Sequence, residues 1–133
     1  MLETHGLLAL QRSSKSDMSE ITLIEVDSAA NPSVAVIWMH GLGADGSDFE
    51  PIVPELGLTD VPTVRFIFPN APYRPVTCNG GYVMRAWYDI ISLEPDSRKI
   101  DEAGLLESRE IVRQLIQREV QRGIPSQRIF LAG

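Results

Sequence analysis

The chain has 133 residues, 44% of them apolar, a size and composition that suit one packed domain or part of one. Twelve Lys and Arg against eighteen Asp and Glu give a formal charge of −6 with no basic run, which excludes nucleic acid as an expected partner. One cysteine, Cys78, excludes an internal disulfide, no Cys/His cluster has the spacing of a metal site, and the longest apolar run, Val34 to Met39, falls far short of the roughly 18 to 20 residues of a transmembrane segment. A cytoplasmic chain with no metal and no other cofactor is expected.

Residues 1–17 are polar and aperiodic apart from Leu7, Leu8 and Leu10. Glu3 sits where a signal peptide carries positive charge, and no small-residue cleavage site follows, so no export signal is read. These residues are expected to form a disordered N-terminal extension ahead of an incomplete α/β domain over 18–133, with Met1 and Met18 both open as the native start. Ile21 to Val26 is rich in β-branched residues and reads as a strand. After the Asn31-Pro32 turn, Val34 to Met39 is apolar without alternation, the pattern of a central strand buried on both faces. His40-Gly41-Leu42-Gly43-Ala44-Asp45-Gly46 follows as a glycine-rich loop, and Ser47-Asp48-Phe49-Glu50 has capping-box spacing for a short helix limited by Pro51 and Pro54.

Thr63 to Phe68 is the next strand, ended by Pro69-Asn70-Ala71-Pro72. An irregular loop is expected from Tyr73 to Asn79, a turn at Asn79-Gly80-Gly81, and a short strand or extended segment over Ala86 to Ile90. From Ile100 to Arg122 the period is helical, with Leu105, Ser108, Val112, Leu115, Ile116 and Glu119 near one face and Ile111 flanking it. Gly123 and Pro125 stop that helix, and Arg128 to Ala132 is a last buried-type strand. The alternation predicts a mostly parallel sheet with flanking helices. No helix follows to cover the last strand, so an exposed sheet edge and self-association through it are expected.

The glycine-rich loop carries the chemistry. Gly41-x-Gly43-x-x-Gly46 matches a dinucleotide fingerprint, yet the next strand ends in Phe68-Pro69-Asn70 without the carboxylate that would hold the ribose. Alternatively, its glycines serve a tight turn only. A third reading is an oxyanion loop, a His-Gly-Gly-type segment after an early strand whose backbone N–H stabilises a tetrahedral intermediate. In that reading the Leu42 N–H is the donor, while His40, Gly41 and Gly43 shape the loop. Ser47, His40 and Asp45 or Asp48 lie within nine positions but already have turn and cap roles, which argues against a local triad. Cys78 has no histidine near it in sequence and reads as a bystander.

Four blocks in order make the third reading specific: Val36 to Gly46, Arg65 to Pro72, Met84 to Ile90, and Arg128 to Gly133. Through them the chain resembles the phospholipase/carboxylesterase family of α/β hydrolases that includes the acyl-protein thioesterases. The resemblance implies the N-terminal part of an α/β-hydrolase fold, truncated at the nucleophile strand, with Gly133 similar to the first glycine of a G-x-S-x-G elbow. No catalytic residue is then expected in this chain, since the serine, aspartate and histidine would lie beyond Gly133. Leu42 carries over as an oxyanion donor and Trp87 as an aromatic residue of the substrate pocket, whereas Asp89 is expected to be a structural acceptor. The implied activity of the complete form is hydrolysis of acyl esters or thioesters of small-molecule or acylated substrates through an acyl-serine intermediate, with this chain alone inactive. The alternative is a non-catalytic α/β chain that binds a small anion, nucleotide or partner through the same loop.

Overall fold

A computed structural model describes residues 3–11, 20–59 and 61–133. One sheet of five strands carries the fold: β1 (Glu3–Gln11), β2 (Glu20–Asp27), β3 (Val34–Trp38), β4 (Val64–Pro69) and β7 (Ile129–Ala132), in the order β1-β2-β4-β3-β7. A hairpin, β5 (Tyr73–Val76) with β6 (Tyr82–Arg85), stands apart as a second sheet. The helices are α1 (Ile52–Glu55) and α2 (Glu102–Gln121).

The expected parallel arrangement is found in β4, β3 and β7, but β2 runs antiparallel to β4 and β1 antiparallel to β2. Connection length explains the mixture. Only six residues, 28–33, join β2 to β3, enough to reverse the chain, whereas parallel neighbours need a crossover of a dozen or more residues, such as 39–63 between β3 and β4. β1 corrects the expectation of a disordered extension over 1–17: residues 3–11 add an edge strand to β2, because backbone pairing along a sheet edge does not require an alternating sequence. The remainder of that extension, residues 1, 2 and 12–17, lies outside the described residues.

Period-two alternation divides the core between the two faces of the sheet. Ile21, Leu23, Ala35, Ile37 and Ile67 pack with Ile111, Leu115 and Ile124 on the α2 side. Val26, Val64, Phe66 and Phe68 pack with Val53 of α1 on the other. β3 is fully buried only on the α2 side. Its other face, Val34, Val36 and Trp38, is half-buried because α1 is a single turn.

Three local expectations shift. The capping box is Asp45 with Asp48 rather than Ser47 with Glu50: Asp45 is extended (φ −150°), accepts the Ser47 N–H at 2.8 Å, and receives Asp48 on its own N–H at 3.0 Å. The element it caps is one 3-10 turn, Gly46–Asp48. The segment Tyr73 to Asn79 is a strand and 3-10 turn of the hairpin, reversed by Gly80 and Gly81 at φ 67° and 80°, while Ala86 to Ile90 forms no strand. Finally, α2 is rotated from the expected face. Gly104, Ile111, Leu115 and Glu119 are its buried residues, and Leu105 is 40% exposed.

Candidate active site

His40, Asn70 and Gly133 follow the C-terminal ends of β3, β4 and β7, three adjacent parallel strands. In α/β sheets ligands bind outside such ends. The Met39 N–H donates to the Ala132 carbonyl at 2.8 Å, which draws Gly133 against β3. A Cβ at Gly133 would meet Met39 O at 3.0 Å and Met39 Cβ at 3.3 Å, so close strand approach accounts for glycine there.

His40 is buried and fully engaged. The Ala71 N–H donates to its Nε2 at 2.9 Å, so Nε2 is the acceptor and the proton belongs on Nδ1, which donates to the Gly41 carbonyl at 2.8 Å. The Gly41 oxygen also accepts the Ala44 N–H at 3.2 Å. That carbonyl and the Leu42 N–H belong to one planar trans peptide and point in opposite directions. With the carbonyl turned into the loop, the Leu42 N–H is turned out of it, and it has no hydrogen-bond partner among the described residues. Gly43, at φ 74°, donates its N–H to the Arg85 carbonyl at 2.9 Å. At Gly41 neither space nor a positive φ demands glycine.

Trp87 joins the loop to α2. Its Nε1–H donates to the His40 carbonyl at 2.9 Å, its ring centroid lies 5.2 Å from that of His40, and its own carbonyl accepts the Ser108 hydroxyl. A hollow of about 210 Å³ is lined by His40, Gly41, Leu42, Trp87, Tyr88 and Ile90. It shares His40, Trp87 and Tyr88 with an open apolar groove of about 710 Å³ that runs between α2 and β7. The structure thus gathers all five residues singled out from the sequence: His40, Gly41, Leu42, Gly43 and Trp87.

The family sequence profile described as phospholipase/carboxylesterase matches residues 21–133. The chain belongs to the phospholipase/carboxylesterase family. It is 36% identical over 99 residues to carboxylesterase SOBER1 of Arabidopsis thaliana, covering 74% of this chain and 43% of that protein. It is 42% identical over 103 residues to acyl-protein thioesterase 1 of Cryptococcus neoformans, covering 76% and 43%. Among solved structures, the crystal structure of SOBER1 superposes with a TM-score of 0.67 at 35% identity over 74% of this chain and 47% of that one. Acyl-protein thioesterase 2 of Zea mays gives 0.60 at 28% identity over 80% and 43%. The chain therefore spans less than half the length of the relatives it matches, and the fold is that of an α/β hydrolase.

Within this family loop, no serine–histidine pair forms. The Ser47 hydroxyl donates to Asp45 at 2.5 Å while both His40 nitrogens face backbone groups. The hydroxyl and N–H of Ser47 hold the Asp45 carboxyl below its ordinary range, a cap role rather than a base. Asp89 accepts the Thr77 N–H at 2.8 Å and the Thr77 hydroxyl at 2.5 Å, the structural role expected of it. Among the described residues no cluster of His, Cys, Asp or Glu is placed to hold a metal.

The nucleotide reading fits poorly. The N–H groups of Gly43, Ala44, Asp45, Gly46, Ser47 and Asp48 all have partners inside the protein, so the part of the loop that leads into the capped turn offers no donors to a pyrophosphate. A Cβ at Gly46 would strike Phe68 O, so this glycine serves packing against β4. Asn70, Ala71, Arg85 and Ser108 were not singled out from the sequence. The signal for Asn70 was present, as the lone polar side chain in Pro69-Asn70-Ala71-Pro72.

Proposed function

We propose that this chain supplies the oxyanion half of a serine carboxylesterase or thioesterase active site. The serine would follow Gly133 in an elbow, and attack of its Oγ on an acyl carbonyl would build negative charge on the carbonyl oxygen. That charge would be met by the Leu42 N–H together with the N–H of the residue after the serine. The histidine expected beyond Gly133 would take the serine's proton and pass it to the leaving alcohol or thiol as the tetrahedral intermediate collapses to an acyl-serine, which water would then hydrolyse with the same proton relay. Trp87, beside both hollows, would form part of the wall against the acyl group.

One observation carries this reading: the Leu42 N–H has no partner among the described residues, and the bonded Gly41 carbonyl fixes its direction. An oriented, unbonded donor suits an oxyanion. The packing of Gly133 against Met39, at the foot of the loop, supports this reading. The names of the relatives motivate acyl esters and acylated proteins as substrates. A cytoplasmic setting accords with Cys78 as a free thiol, and no helix among the described residues is long and apolar enough to cross a membrane.

The 133-residue chain is expected to hydrolyse p-nitrophenyl acetate no faster than a heat-treated control, while a reading frame extended through a serine elbow and the rest of the family domain should do so. Turnover by the 133 residues that a fluorophosphonate abolishes would overturn the proposal. So would an extended protein that is folded yet inert towards every acyl ester offered.

A further inference from the structure

The glycine-rich loop is held at both ends by two consecutive residues that follow β4. At its near end the Ala71 N–H fixes His40, and through His40 the Gly41 carbonyl. At its far end the Asn70 Oδ1 accepts the Gly46 N–H at 2.6 Å. Asn70 is itself anchored twice to β2: its Nδ2 donates to the Thr22 hydroxyl at 2.9 Å, and its backbone N–H to the Thr22 carbonyl at 2.8 Å. The side chain is buried, and the orientation of its amide is fixed by chemistry, since the Gly46 N–H can only donate and so must face Oδ1. Gly46 sits hard against Phe68 O and Asn70 Oδ1, so it can slide no further towards β4.

We infer that Asn70 is a positioning residue for the oxyanion donor, holding Gly46 so that the Gly41–Leu42 peptide keeps the orientation His40 gives it. This rests on the proposed role of Leu42. With the Gly46 end released, only the His40 end and the Gly43–Arg85 bond would hold the six-residue loop, which would let that peptide tilt, and displacement of a reacting group by about 1 Å can cost on the order of a hundredfold in rate. Asn70→Ala removes the acceptor for Gly46 and the donor to Thr22. Asn70→Asp keeps the acceptor, and the Thr22 hydroxyl can donate to the new carboxylate in place of receiving.

The test measures amide hydrogen exchange and ester hydrolysis on the complete protein, wild type against both variants. In Asn70→Ala, exchange in the segment 41–46 should rise about tenfold, and kcat for a p-nitrophenyl ester should fall about tenfold with KM within about twofold. In Asn70→Asp, both should return most of the way to wild type. Unchanged exchange at 41–46 in Asn70→Ala would overturn the inference. A uniform rise across β2 and β4 with kcat and KM unmoved would overturn it too, since that pattern marks a structural role only. Selective loosening of 41–46, rescued by aspartate, in a protein with no esterase activity would uphold the clamp and sink the proposed function instead.

Discussion

A methyl group at Gly46 would lie 2.5 Å from the Phe68 carbonyl oxygen and 3.1 Å from Asn70 Oδ1, whereas one at Gly41 would meet nothing within 4 Å. The neighbour at Gly46 is sheet backbone and cannot yield. Gly46→Ala should therefore cost about 1–3 kcal/mol and lower Tm by several degrees, while Gly41→Ala melts close to wild type. Equal melts for the two would contradict the packing described. Trp87 offers a second test, because its Nε1–H is the partner of the His40 carbonyl in a partly buried setting. Trp87→Phe keeps most of the ring but removes that bond, an expected loss of about 1 kcal/mol by urea unfolding.

At the scale of elements, α2 is fastened at both ends by polar groups. Its N-terminus is capped by Asp101, whose carboxyl is held below its ordinary range by the N–H groups of Asp89 and Gly104. Its C-terminal turn meets β2 and β4 in a partly buried cluster of Glu25, Asp27, Arg65, Arg118, Glu119 and Arg122. Burial pushes the Glu25 carboxyl up, but the Arg122 hydrogen bond and the charges of Arg118, Arg122 and Arg65 outweigh it, and the net direction is down from 4.5. A carboxyl with a depressed folded-state pKa stabilises the fold above its unfolded value and loses that contribution as pH falls through the folded one. Stability should thus decline on acidification below about pH 4.5, taking that value as the unfolded reference. Glu25→Gln should be weaker at pH 7 by about 3 kcal/mol, the lower end for a broken buried pair because Arg118 and Arg122 keep some solvent contact. Its urea midpoint should also vary less between pH 7 and pH 3 than that of wild type. A parallel acid dependence in the two proteins would remove Glu25 from the account.

For the whole molecule the decisive feature is the edge at β7, which among the described residues pairs with β3 alone. Phe130 is 55% exposed and Leu131 52%, and Leu131 shares the open groove with Leu105, Val112 and Ile116 of α2. These α2 residues belong to the inward stripe expected from the sequence, so the helix rotation and the groove are one fact. Four of the six stripe residues, Leu105, Ser108, Val112 and Ile116, line the groove, and Ile116 also packs against the core beneath it. The isolated 133 residues should bind an apolar dye and elute above monomer size, and Leu131→Glu should reduce both. A monodisperse monomer with a sharp melt and no dye binding would show that the groove and edge are satisfied within one chain.

The sequence by itself determined the elements whose pattern is local. β2, β3, β4 and β7 follow from apolar runs, α2 from its 3.6-residue period and its stop at Gly123, and the glycine-rich loop from its place between a strand and a cap. The gathering of His40 to Gly43 with Trp87 was legible too, through four blocks whose order matched a family. Tertiary structure alone decided the strand order, the pairing of β1, the β5–β6 hairpin and which N–H groups of the loop are bonded. The reason is distance along the chain. The bonds that occupy the loop reach from Gly46 to Asn70, 24 positions away, and from His40 to Ala71, 31 away, so they exist only once β4 has been laid beside β3.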